Sequence, residues 1–259
     1  SPEATPVLLS AAGSSDAEGD IHHYVWTSER VGLELGDSSE LTVPLVLGEH
    51  VLHLNVEDAA GQGDSDRVDI VVADTTGPAF TSVALATDCL WPPDHRLHLF
   101  RLGTELTAST LDACEGTSGT VRIVDVRSDQ PVDAIGDGST APDIIFGEAA
   151  FCLRGERTGT SRRPRAYTVV LESTDAAGNT SRNEIEIRVP HDQRPATRCL
   201  TGGLAPGVDD ADARCTATLP RAPAPVDPHT MGTPTCSVSI AARPGGVFTA
   251  MLSVVLALA

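Results

Sequence analysis

Lysine is absent from this chain: its 18 basic residues are all arginine, set against 36 acidic ones, for a formal net charge of −18. So large a shortage of positive charge excludes a general attraction to nucleic acid or to an anionic membrane surface. The arginine-only usage is read as the coding preference of a GC-rich genome. Aromatic residues make up 3% of the chain, which leaves few platforms on which sugar rings could stack. His-Glu-x-x-His and Gly-x-Ser-x-Gly do not occur, and no nucleophile, base and orienting group stand in a recognisable set, so the chain reads as a non-enzyme. Cys-x-x-Cys and zinc-type Cys/His spacings are missing as well. The apolar run at residues 247–259 falls short of the roughly 20 residues that span a bilayer as a helix. No secretory leader precedes Ser1-Pro2-Glu3, and the chain is expected to be a fragment or a processed product.

What is present is turn and strand chemistry. Gly 23 and Pro 18, with abundant Thr, Val, Ser and Asp, favour short strands joined by turns, which makes the fold class all-β. The most informative stretch is Thr174-Asp175-Ala176-Ala177-Gly178-Asn179, followed by the alternating run Glu184-Ile185-Glu186-Ile187-Arg188-Val189. Asp bonds its own backbone, Gly and Asn tolerate positive φ, and a period of two marks a half-buried strand, so this is a hairpin. The same unit occurs 117 positions earlier as Asp58-Ala59-Ala60-Gly61-Gln62, then Val68, Ile70 and Val72. Two domains therefore end alike. The expected architecture is two tandem immunoglobulin-like β-sandwiches, a disordered Pro/Ala-rich stalk and a short hydrophobic tail. Cys89, Cys114, Cys152, Cys199 and Cys215 are disulfide candidates for an oxidising compartment, with the pairing left open.

In the first domain, Gly13-Ser14-Ser15-Asp16-Ala17-Glu18-Gly19-Asp20 precedes Tyr24-Val25-Trp26, and Leu47-Gly48-Glu49-His50 leads into Val51-Leu52-His53-Leu54-Asn55-Val56-Glu57-Asp58. This order resembles a polycystic-kidney-disease (PKD) domain, an immunoglobulin-like sandwich, over residues 1–73 and without the usual first strand. The resemblance implies that Trp26 is the core tryptophan. Asp16, Glu18, Asp20 and Asp58 could converge on one calcium ion, since a hard cation takes several loop oxygens. The alternative is that each Asp serves its own turn.

Residues 74–78 are a linker of turn residues, and the second domain is assigned to residues 78–192. Its ordered motifs are Leu90-Trp91-Pro92-Pro93-Asp94-His95-Arg96, Ser128-Asp129-Gln130-Pro131, Gly136-Asp137-Gly138-Ser139-Thr140-Ala141-Pro142-Asp143, Leu153-Arg154-Gly155-Glu156-Arg157, Arg165-Ala166-Tyr167, and the Asp175 turn. Together they resemble a module of secreted bacterial proteins with the pattern Leu-Trp-Pro-Pro-Asn-His-Lys, found beside PKD or hyalin-repeat (HYR) domains. Gln130 and Ser139 stand where that pattern carries acids, so two carboxylates are missing. Trp91, between turn and prolines, is expected to cap one end of a sandwich. Arg154, Arg157, Arg162, Arg163 and Arg165 form the one basic concentration, and a hairpin tip could present them to an anionic polymer. Pairing with Glu156 and other surface acids is the competing reading. His50 with His53, and His95 with His98, are three apart and so point to opposite faces of a strand, which rules them out as chelating pairs.

Residues 193–235 read as a flexible linker, with a small loop closed between Cys199 and Cys215, because they hold too few large apolar residues to offset the entropy of ordering. Residues 236–259 run from Cys236 through Pro244-Gly245 to the apolar stretch, which resembles the myxobacterial C-terminal sorting tail without its Arg cluster. Cys236 would be the anchoring residue, and membrane contact would come through this tail. The chain is thus expected to be a non-catalytic exported spacer or adhesion module, secreted or on the cell surface, whose partner is an extracellular protein or polysaccharide. Rival expectations are a calcium-binding structural module, and an accessory substrate-binding region of a larger secreted hydrolase.

Overall fold

The computed structural model describes residues 4–17, 19–132, 135–138 and 140–192, together with Cys199 and Cys215. All its named elements are β-strands, fourteen of them, and the protein is an all-β sandwich fold. Two compact units are present: unit 1 is Ser1–Thr76 with Ala113–Gly116 and Thr235–Ala259, and unit 2 is Gly77–Asp112 with Thr117–Pro234.

Unit 1 contains β1 (Thr5–Ser10), β2 (His23–Ser28), β3 (Leu33–Gly36), β4 (Glu40–Leu45), β5 (Gly48–Glu57) and β6 (Gly63–Val72). A two-stranded sheet of β1 and β4 and a four-stranded sheet in the order β3-β2-β5-β6 enclose one core. Alternation on β6 turns Val68, Ile70 and Val72 inward, while β5 buries His50, Leu52 and Leu54 and leaves His53 on the other face. Trp26 is fully buried at the centre, and its Nε1 donates to the Ser38 carbonyl at 2.8 Å, so the indole brings its bulk into the core without stranding its N–H.

Unit 2 contains β7 (Ala79–Leu85), β8 (Leu97–Arg101), β9 (Leu106–Leu111), β10 (Thr120–Ser128), β11 (Ile144–Phe146), β12 (Ala150–Arg154), β13 (Arg165–Thr174) and β14 (Thr180–Val189). Its sheets are β10-β13-β14, β11-β12-β8 and the pair β7-β9. Phe100 and Phe151, stacked at 4.9 Å, meet Leu106, Ile123, Leu153, Val169, Leu171 and Ile187 in one apolar core.

The internal repeat holds strand by strand. β13 and β14 begin and end 117 residues after β5 and β6, and the registers match: Glu57 faces Gly63 as Thr174 faces Thr180. Each turn is tied by its aspartate. Asp58 Oδ1 accepts from the amides of Ala60 and Gln62 at 2.8 and 2.7 Å, and Asp175 Oδ1 accepts from the Asn179 amide at 2.8 Å. Gly61 and Gly178 supply the positive φ, at 81° and 92°, that closes each turn.

The disulfides differ from the sequence expectation. Cys199 bonds Cys89, and Cys215 bonds Cys152, with Cα separations of 5.5 and 6.0 Å, so no small loop joins Cys199 to Cys215. The reason lies in the strands. Cys89 is drawn beside β14 by hydrogen bonds between Leu90 and Arg188 and between Arg188 and Asp88, which brings it to the end where the chain leaves β14. Cys152, on β12, sits in a small second core with Leu97 and Cys215. Cys114 is disulfide-bonded too. These bonds fit an oxidising environment. Beyond Cys199 and Cys215, the linker and sorting-tail assignments, with Cys236, lie outside the described residues.

Candidate functional site: a buried charge network

Five of the six charged motifs of unit 2, far apart in sequence, meet in one place. β13 delivers Arg165 on the inward phase it shares with Tyr167, Val169 and Leu171, so a guanidinium enters where the alternation calls for an apolar side chain. Arg165 is fully buried; it pairs with Asp143 through Nη2, donates from Nε to Ser128 Oγ at 2.9 Å and from Nη1 to the Glu156 carbonyl at 3.4 Å. Its Cζ lies 4.7 Å from the centre of the Tyr167 ring. The Tyr167 hydroxyl donates to the Arg154 carbonyl at 2.9 Å, and burial holds that phenol protonated well above its ordinary range.

Arg154, at the end of β12, is also inside. Nε donates to the Pro142 carbonyl at 3.0 Å and Nη1 to the His95 carbonyl at 2.8 Å, while Nε stands 4.0 Å from Asp143 Oδ1. The two arginines thus clamp the loop before β11 and the loop before β8 onto the sheet ends. A buried guanidinium is tolerated only when its donors are satisfied, and these are aimed at fixed carbonyls and a carboxylate.

Glu156 stands two residues further on and is fully buried. Its Oε2 accepts from Thr140 Oγ1 and lies 3.3 Å from His95 Nδ1. Burial pushes the Glu156 carboxyl above its usual range and the neighbouring Asp143 adds to the push, against the opposing hydrogen bonds of Thr140 and His95. His95 is not on a strand: it takes a left-handed conformation, φ 59°, in the loop before β8, with its side chain half exposed. Close approach requires glycine at two points. A Cβ on Gly138 would stand 2.6 Å from His95 Nδ1, and one on Gly155 would stand 2.7 Å from Asp94 Oδ1, the acceptor 3.0 Å from His98 Nε2.

The arginine concentration is therefore split. Arg154 and Arg165 are buried, and Arg157 curls onto the Thr158 and Ser161 carbonyls at 2.7 and 2.8 Å; Arg162 and Arg163 are the exposed members. The five do not form one surface, because strand phase turns the outer two of the run inward. The competing expectation also needs correction in its partner, since Asp143 rather than Glu156 receives the guanidinium and does so inside the fold. A second cluster on the same unit is more open: Glu172, 4% exposed, accepts from Arg122 at 2.7 Å and Arg182 at 2.9 Å. Burial pushes that carboxyl up, and the two arginines outweigh it and hold it below the ordinary range.

In unit 1, Asp16, Asp20 and Asp58 bring carboxylate oxygens within 4.8 Å of one another; Glu18 lies outside the described residues. Hydrogen bonding with Asp16 pushes the Asp20 carboxyl above its usual range, and the charges of Asp16 and Asp58 act in the same direction. The histidine pairs stay apart: His50 Nε2 meets the Val46 carbonyl at 2.7 Å and His53 Nε2 meets Glu29 at 2.7 Å, while His95 and His98 serve Glu156 and Asp94. Trp91 is half-buried ahead of Pro92 and Pro93. Compared with known proteins, the chain matches no family model and no curated protein.

Proposed function

We propose that this chain is a non-catalytic exported module, a spacer or adhesion unit of PKD-like and HYR-like sandwiches held at a cell surface. The observation that carries the reading is the Cys89–Cys199 bond, which spans 110 residues and joins the segment after β7, the first strand of unit 2, to the segment beyond its last strand. Tension entering at Cys89 would leave at Cys199 without loading β8 to β14. The inward commitment of Arg154, Arg165 and Asp143 supports it too, since those charges brace loops instead of facing a ligand. Pulling the chain by its ends tests this directly. With disulfides intact, the roughly 370 Å of extended chain in that loop stays hidden, and reductant releases it. Release of that length from the oxidised chain would remove the mechanical support for a spacer.

A calcium-binding role for unit 1 is the second reading, favoured by the carboxylates of Asp16 and Asp20, from the β1–β2 loop, meeting that of Asp58 from the β5–β6 turn. A dication there would take the place of the Asp16 hydrogen bond that raises the Asp20 carboxyl and would offset the charges of Asp16 and Asp58 that add to it. Calcium at about 100 times its dissociation constant should stabilise unit 1 by about 2.7 kcal/mol, and chelator should reverse it. A melting curve indifferent to both leaves Asp58 as a turn former alone. An accessory role beside a hydrolase has no specific observation in its favour.

A further inference from the structure

Among the described residues, two oxygens in the buried network have no hydrogen-bond partner: Asp143 Oδ1 and Glu156 Oε1. Each belongs to a fully buried residue, and an unmade hydrogen bond there is costly. Their partners elsewhere are unequal. Asp143 has Arg165 on its other oxygen and Arg154 at 4.0 Å, so two guanidiniums face it. Among the described residues, the Glu156 carboxyl meets the Thr140 hydroxyl and the His95 ring and no guanidinium. The two carboxyls lie within hydrogen-bonding reach of each other.

The surroundings point the same way. The groups around the Glu156 carboxyl are Asp143 and Thr140 from the loop before β11, Tyr167 from β13 and His95 from the loop before β8, while Arg154 of β12 and Arg165 of β13 reach Asp143. With both carboxyls ionised, two like charges would stand as neighbours in a poorly solvated place. One shared proton removes that repulsion.

We propose that Glu156 and Asp143 share a single proton, Glu156 Oε1–H donating to Asp143 Oδ1, and that this pair is a pH-sensitive lock on the loops at this end of unit 2. One hydrogen satisfies both stranded oxygens at once. Since Glu156 holds its proton more tightly folded than unfolded, the lock is closed below the ordinary glutamate range and is lost as pH rises through the elevated folded value. Loss of the proton sets two like charges side by side near His95, and residues 140–143, which carry Thr140 and Asp143, are the segment that should loosen. This inference does not depend on the proposed spacer role.

The test uses the full oxidised chain labelled with 13C at glutamate side-chain carboxyls, titrated by NMR in the presence of chelator. The Glu156 resonance, assigned by its loss in Glu156→Gln, should titrate well above the ordinary glutamate range. Melting curves of wild type and Glu156→Gln should nearly coincide at mildly acid pH. They should separate on the order of 5 °C as pH rises to 8, wild type falling, because glutamine donates to Asp143 without ever gaining charge. Titration of Glu156 in the ordinary range overturns the proposal, as do parallel melting curves. A Glu156 resonance that moves on adding calcium at fixed pH also overturns it, since a cation would then hold the two oxygens. The wild-type titration stands even if Glu156→Gln folds poorly.

Discussion

Replacing Arg165 with methionine should lower the stability of unit 2 by about 3–5 kcal/mol, the range seen when one partner of a buried ion pair is removed. The side chain is fully buried, and its loss leaves Asp143 with no hydrogen-bonded guanidinium and takes a donor from the Glu156 carbonyl and from Ser128 Oγ, which keeps the Gln130 amide. Methionine keeps much of the volume, so the effect isolates charge and hydrogen bonding from cavity formation. Domains of this size are commonly stable by only about 5–15 kcal/mol, so the variant should melt early or populate an unfolded unit 2 at ambient temperature. Adding Asp143→Asn to Arg165→Met should recover part of the loss, because the stranded charge is then gone. As a control, Arg163→Ala at the exposed loop should shift stability by no more than about 0.5 kcal/mol. Urea unfolding followed separately for the two units reads all three. Equal effects at Arg165 and Arg163 would mean the network contributes nothing.

Removing the Cys89–Cys199 bond by Cys89→Ser with Cys199→Ser should cost unit 2 about 4–5 kcal/mol. The bond closes a loop of 110 residues, and the chain-entropy estimate for loops of that length gives this value. Cys152–Cys215 closes 63 residues and should count for slightly less; because the two loops overlap, the losses should not add in full. The melting temperature of unit 2 should fall on the order of 15 °C, while the transition of the core around Trp26, whose strands contain no cysteine, should stay in place. A fall in the unit 1 transition, or none in unit 2, would contradict this assignment of the bonds.

The hairpins and the Trp26 core were legible in the sequence because they rest on local chemistry. Asp58 and Asp175 bond amides two to four residues away, Gly61 and Gly178 supply φ, and strand alternation sets which side chains turn inward. The buried network was not legible in the same way. Asp94, Asp143, Glu156 and Arg165 come from loops and strand ends up to 71 positions apart, and no local rule brings such segments together. One signal was present in part: Arg165 stands in phase with Tyr167, Val169 and Leu171, and a charged residue on the apolar phase of a strand announces a buried partner. Asp143 could not be named as that partner, since its loop carries no periodicity. Cysteine pairing was equally closed to sequence reasoning, because Cys89 meets Cys199 only after β14 has docked beside it.

The central claim, that this is an exported module closed by disulfides, is tested most directly by treating intact host cells with a protease that cannot enter them and mapping the released peptides without reduction. The account predicts release of the chain from the cell exterior or medium, with peptides still joined as Cys89–Cys199 and Cys152–Cys215. Recovery of the chain only after lysis, with these four cysteines as free thiols, would contradict it.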